Sequence, residues 1–139
     1  MARNQQPTVG VLMGGCSSER EVSLRSGAAV VGALRSLGRT VVPVDLRWED
    51  GRELDGIAMD VAFIALHGRF GEDGRLQRRL EELGLPFTGS GSHASAIGMD
   101  KELSKHAAVR VGARTAPHEV VAGGRVEAAR LLKLVGLPC

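Results

Sequence analysis

Three short apolar runs, set between helix-period segments, constrain this chain more than any other feature. Residues 8–13, 40–45 (TVVPVD) and 61–66 (VAFIAL) are brief and rich in Val. Runs of this kind read as strands. Between the first two, residues 22–37 are expected to form a helix with Ser26, Val30, Ala33, Leu34 and Leu37 on one face, stopped by Gly38. Residues 74–83 repeat the pattern with Leu76, Leu80 and Leu83, closed by Gly84, and a short fourth strand is expected at 86–88. The intervening residues 48–60 are polar and predict irregular chain with one helical turn.

This alternation predicts an α/β fold: a small, mostly parallel sheet covered by helices. Pro43 cannot donate to a strand ladder, which places its strand at a sheet edge. Right-handed crossovers then favour the order 2-1-3-4, with a ligand crevice beyond the carboxyl ends of the first and third strands.

Past Gly89 the character changes. GSGSHASAIG is small and reads as a flexible edge. A helix is expected at 100–111 with Leu103, Ala107 and Val111 on one side, a strand at 117–121, and a helix at 125–135 ended by Gly136 and Pro138. Residues 1–98 therefore read as one domain and 99–139 as the start of another.

The 139 residues are 43% hydrophobic, enough for a core, and only 3% aromatic, so that core is built from Val, Leu, Ile and Ala. A formal charge of +2 with so few aromatics argues against a nucleic-acid surface. The N-terminal MARNQQPT lacks a signal-peptide core, and no apolar run reaches the roughly 18–20 residues of a membrane span. The two cysteines, Cys16 and Cys139, have no CxxC or zinc spacing, and His93, His106 and His118 have no metal-like spacing. The expectation is a soluble cytoplasmic protein without nucleic-acid or membrane partners and without a metal site.

The stretch GGCSSEREVSLRSG follows the first strand. Ser18-x-x-Glu21 fits a capping box, which gives Glu21 a structural role. Glu19 has two readings: a favourable charge at a helix N-terminus, or a carboxylate facing the crevice. A carboxylate there repels phosphate and attracts an ammonium group. The stretch also lacks the GxGxxG spacing and the P-loop lysine, which disfavours a dinucleotide-binding domain.

A second stretch, ALHGRFGEDG, places His67 just past the third strand. Rim residue and ligand contact are both open to it. Gly68, Gly71 and Gly74 permit close backbone approach, while Glu72 and Asp73 suit the start of the next helix. The third stretch, GSGSHASAIGMDKELSK, carries Lys101 and Lys105 one turn apart, as a solvated face or a positive edge.

Taken in order and spacing, GGCSSEREVSLRSG, ALHGRFGEDGRLQ and LPFTGSGSHASAIGMDK resemble the N-terminal part of the D-alanine–D-alanine ligases. The resemblance runs from about residue 9 to the end of the chain. It implies a Rossmann-like pre-ATP-grasp domain followed by the beginning of an ATP-grasp domain. It also implies an ATP- and Mg2+-dependent reaction of peptidoglycan precursor synthesis. ATP phosphorylates one D-alanine carboxylate, and the amine of a second D-alanine attacks the resulting acyl phosphate.

By the same resemblance Glu19 helps hold the first D-alanine's ammonium and Val22 lines that pocket. His67 lies beside the reacting carboxyl group, and Lys101 reaches the nucleotide phosphates. Family members are more than twice this length and work as homodimers. A chain ending at GLPC is then expected to be truncated, to lack metal ligands and to be inactive alone. The alternative, a non-catalytic module that binds an amino acid or a partner protein or self-associates, rests on the missing ATP machinery and on the apolar faces expected after Asp100 (Leu103, Ala107 and Val111; Val126, Ala129 and Leu132).

Overall fold

The computed structural model describes residues 6–121 and 128–135. The chain divides into two compact units, Met1–Met99 and Asp100–Cys139. The first unit is built on three parallel strands, β1 (Val9–Gly14), β2 (Val41–Leu46) and β3 (Val61–Ile64), in the order β2-β1-β3. Val9 of β1 stands opposite Val41 of β2 on one side and Val61 of β3 on the other. Pro43 lies opposite Val11 on the outer strand, where its missing donor costs nothing. The expected fourth strand is reduced to a single parallel bridge between Ala62 and Phe87. Pro86 and Gly89 bracket too few residues to extend it.

Helix α1 (Arg20–Ser36) covers one face of the sheet. Alternate residues of β1, Val11 and Met13, turn toward it and pack with Val31, Leu24, Val30 and Leu34. On the other face Leu12, Val44, Leu46 and Ala62 pack with Leu54, Leu66, Phe70, Leu76 and Leu80. Those partners come from a 3-10 turn (Arg52–Leu54), the connection after β3, and helix α2 (Arg75–Glu82). The strand period of two thus feeds two separate cores.

The inward face of α1 differs from the expected one. Ser23, Gly27 and Val31 are its buried residues, while Ala33 is exposed and Leu37 is 72% exposed. The apolar pattern alone overlooked a serine and a glycine. A serine at the inner face is tolerated because its hydroxyl is fully used. Ser23 Oγ accepts from the Gly14 N–H at 2.9 Å and donates to the Ala65 carbonyl at 2.7 Å. In α2, Leu76 and Leu80 are buried as expected, but Leu83 is 42% exposed at the C-cap.

Ser23→Ala strands two buried backbone groups, and it should cost about 1–3 kcal/mol. The midpoint of urea denaturation checks this. A variant within experimental error of the parent would remove the hydroxyl from the account.

Helix α3 (Ser92–Met99) occupies the stretch expected to be flexible. Glu81 of α2 anchors its start, accepting from the Ser92 N–H at 2.8 Å and from the Ser92 hydroxyl at 2.6 Å. Glycines around a serine read as a hinge, but SHASAIGM also holds two alanines and no proline, and the α2 carboxylate supplies the missing cap.

In the second unit, helix α4 (Lys101–Arg110) begins at Asp100, whose carboxylate accepts from the Glu102 and Leu103 N–H groups. Leu103, Ala107 and Val111 remain exposed. The strand expected at 117–121 is absent: the described residues 113–121 are irregular, with no neighbouring strand to pair with. Helix α5 (Ala128–Val135) is the described part of the helix expected at 125–135; residues 125–127 and the stop signals Gly136 and Pro138 lie outside the described residues. Among the described residues no helix is long and apolar enough to cross a membrane.

Candidate functional site at the carboxyl ends of β1 and β3

The connections leaving β1 and β3 meet at the sheet's carboxyl edge, where the strand order reverses. Glu19 sits at the N-cap of α1, and its side chain makes no capping bond. The capping box expected between Ser18 and Glu21 is not formed. Ser17 takes that place instead, its hydroxyl accepting from the Glu19 N–H at 3.1 Å. Because the helix starts one residue later than a Ser18 cap requires, Glu21 is simply an exposed acid in the first turn, where the helix dipole favours it.

Glu19 is exposed, and its carboxylate lies against the connection after β3. Gly68 there has φ +67°, and a Cβ at that position would overlap Glu19 Oε2. Glycine at 68 therefore serves both the left-handed turn and the carboxylate that rests on it. Gly74 also has positive φ, whereas Gly71 is held by lack of space against Leu66.

His67 is anchored at both ends. Its carbonyl accepts from the Ser17 hydroxyl at 2.9 Å. Its ring lies between Ser26 Oγ, 3.3 Å from Nε2, and Glu72 Oε1, 3.8 Å from Nδ1. Glu72 thus faces His67 rather than the start of α2. Asp73 does serve that start, accepting from the Phe70 and Arg75 N–H groups. Phe70, buried with φ +71°, turns the chain between them.

The structure brings Glu19 and His67 to one edge, joined through Ser17 and Gly68. Val22, one turn into α1, is 43% exposed. Ser17 and Ser23 were not singled out from the sequence, and Ser26 was read only as part of the helix's inner face. A usable signal was there: Glu19, Ser23 and Ser26 follow i, i+4, i+7 spacing, one polar stripe along the inner side of a helix.

Arg20 braces the glycine turn, donating to the Gly15 and Leu46 carbonyls and to Asp45 at 2.8 Å. That bond from Arg20 holds the Asp45 carboxyl below the usual carboxylate range; burial opposes it, and Arg47 adds to it. A lowered folded-state pKa gives stability that is full above the unfolded value, about 3.9, and is lost as pH falls through the folded one. The stability gap between the parent and Asp45→Asn should therefore close as pH drops below about 4. Thermal melts from pH 7 to pH 3 test it, and a gap unchanged at pH 3 contradicts it.

Cys16 is exposed, and its thiol donates to Glu49 at 3.4 Å. Burial, then the Glu49 carboxylate, push that thiol above its ordinary value, which makes it a poor nucleophile. A cavity of about 430 Å³ near Arg75, Arg79 and Ser92 includes neither Glu19 nor His67 in its lining. Arg75 and Arg79 there are already paired with acids, so they offer little charge to a ligand.

In the second unit Lys101 lines a cavity of about 510 Å³ with Lys105, His118 and Glu119. Lys105 is committed to the Thr115 hydroxyl and the Ala116 carbonyl. Since Asp100 already occupies the first amides of α4, Lys101 rather than the helix end is the group there suited to an anion. Among the described residues no group of three or more His, Cys, Asp or Glu stands together to hold a metal ion.

Residues 46–90 match the family model described as D-ala D-ala ligase N-terminus. The chain is 47% identical over 131 residues to a D-alanine–D-alanine ligase of Desulforudis audaxviator, covering 94% of this chain and 43% of that protein. It is 50% identical over 130 residues to the one of Geobacter sulfurreducens, covering 89% of this chain and 40% of that protein. The chain thus spans about two fifths of the length of these relatives.

Among solved structures, the Bacillus anthracis D-alanine–D-alanine ligase complexed with ATP superposes with a TM-score of 0.78 at 33% identity, over 91% of this chain and 45% of that one. The Coxiella burnetii ligase gives 0.75 at 26%, over 92% and 50%.

Proposed function

We infer that this chain, which belongs to the D-alanine–D-alanine ligase family through that family's N-terminal part, holds the first amino-acid substrate of an ATP-dependent carbon–nitrogen ligase of peptidoglycan precursor synthesis. The observation that carries this reading is the meeting of Glu19 and His67 at one edge of the sheet, with an acid and not a phosphate cradle at the glycine turn. The Glu19 carboxylate neutralises the ammonium of a D-alanine, and Val22 packs beside its methyl group. Held at Ser26 and Glu72, the His67 ring faces the carboxyl group that reacts and stabilises its charge.

Residues 1–98 form the substrate domain, and 99–139 begin the ATP-grasp domain. There Lys101 meets a nucleotide phosphate, the group ATP brings when bound. Mg2+ would accompany the nucleotide, and the described residues hold no group of three or more His, Cys, Asp or Glu to ligate it. The whole protein works in the cytoplasm as a homodimer. The 139-residue chain alone does not turn over, because phosphoryl transfer depends on positioned cationic groups from several elements.

The test is a chimera in which this chain replaces the matched portion of the Geobacter sulfurreducens relative. ADP release dependent on D-alanine is expected from the chimera and not from the 139-residue chain. A folded chimera that releases ADP equally without D-alanine would overturn the reading.

The exposed apolar side of α4, with Leu103 at 50% and Val111 at 81%, favours a second reading as a self-associating module. Sedimentation of the 139-residue chain decides it. A monomer at every concentration removes this alternative.

A further inference from the structure

We propose that Ser26 is a positioning residue that fixes which nitrogen of His67 carries the proton. The proposal rests on the reading of His67 given above only for its effect on catalysis; the geometry stands by itself. Ser26 Oγ lies 3.3 Å from Nε2, and Glu72 Oε1 lies 3.8 Å from Nδ1. A carboxylate can only accept, so the nitrogen facing Glu72 is the one that gains from bearing hydrogen. In the neutral ring Nε2 is then the acceptor, and Ser26 is the hydroxyl placed to donate to it. Free histidine in water prefers the opposite tautomer, so the two neighbours act against an intrinsic preference.

The hydroxyl is held where it can do this. Ser26 lies one turn beyond Ser23, and Ser23 is fully buried and bonded to the Ala65 carbonyl two residues before His67. Ser17 holds the His67 carbonyl from the other side. Helix, strand end and ring are therefore stitched together by three serines, with Ser26 the one that touches the imidazole. A ring bonded at Nε2 and facing a carboxylate at Nδ1 presents one fixed face to a bound carboxyl group, before and after that group loses its negative charge.

The tautomer is read directly by long-range proton–nitrogen correlation on the nitrogen-15-labelled 139-residue chain at pH 8. The His67 signals are identified by their absence in His67→Gln. The Nδ1–H form is expected to predominate in the parent, to give way toward Nε2–H in Ser26→Ala, and to be retained in Ser26→Thr. A parent already in the Nε2–H form, or a ratio that Ser26→Ala leaves unchanged, overturns the proposal. The parent measurement decides it even if the alanine variant fails to fold.

In the chimera, Ser26→Ala should lower kcat/KM for D-alanine about 10- to 100-fold, with threonine restoring most of it. Should the tautomer shift as stated while Ser26→Ala and His67→Ala both keep full activity, the hold on the ring survives. The placement of His67 beside the reacting carboxyl group would then be wrong.

Discussion

Glu19→Gln in the chimeric ligase is expected to weaken kcat/KM for D-alanine by a factor of about 30–1000, the equivalent of about 2–4 kcal/mol. The exchange keeps the shape and removes the charge. On the proposed function, the ammonium of the first D-alanine would leave water for a carboxylate in the parent and for a neutral amide in the variant, where its charge would be uncompensated. Because Glu19 is exposed and makes no capping bond, the fold uses its charge only through the helix dipole, and stability should fall by no more than about 1 kcal/mol. A large loss of rate at nearly unchanged stability is the signature. Should kcat/KM fall less than about threefold (under 1 kcal/mol), the ammonium is held by something else and the site assignment fails.

Gly74→Ala should produce the largest loss of stability, about 2–5 kcal/mol, adding backbone strain to overpacking. Gly74 sits at the N-cap of α2 with φ +90°, a conformation side-chain-bearing residues adopt at a cost. A methyl group there would also collide with the Ser92 carbonyl oxygen at the start of α3. Backbone cannot step aside as a flexible side chain can, so α2 and α3 must separate. Both helix starts move together because Glu81 ties Ser92 to α2. Urea denaturation of the variant measures the loss, and a midpoint close to the parent's would mean that α3 shifts freely. Gly84→Ala is the matching control: its φ is also positive, at +63°, but nothing lies near its missing methyl. Strain without collision should cost only about 1–2 kcal/mol.

The sheet was legible because each strand is a short apolar run whose alternate residues serve two cores, and because Pro43 marks an edge. The strand order follows from those facts and from crossover handedness. The placement of Glu19 and His67 at one edge was legible, but not the wiring between them. Glu19 and His67 each stand just past a strand, where ligands bind in such folds. Ser17 and Ser23 were invisible because apolar periodicity counts serine as outward-facing, and Ser26 was placed on the inner face without its bond to the ring. A buried or half-buried hydroxyl escapes that count whenever a backbone group or a ring nitrogen satisfies it. The error on the face of α1 has the same origin: Ser23 and Gly27 lie inward, so the apolar residues that seemed to define the face are rotated from its true centre. The expected strand at 117–121 failed for a different reason. Extended propensity needs a partner ladder, and among the described residues of that unit none exists.

Pro43 carries a consequence for how this sheet can grow. With a ring nitrogen in the middle of β2, the outer margin on that side is blunted against recruiting another chain. The opposite margin has no such guard: beyond β3 there is one bridge, at Phe87, and the backbone past it is open to docking. Any strand that joins, whether from a neighbouring copy in a concentrated solution or from a longer polypeptide, must arrive from the β3 side. The Ala62 and Ile64 N–H groups are already taken, by the Pro86 carbonyl and the Thr88 hydroxyl, so amide exchange at Phe87, followed with rising protein concentration, would report that polarity as protection appearing at one border and not the other.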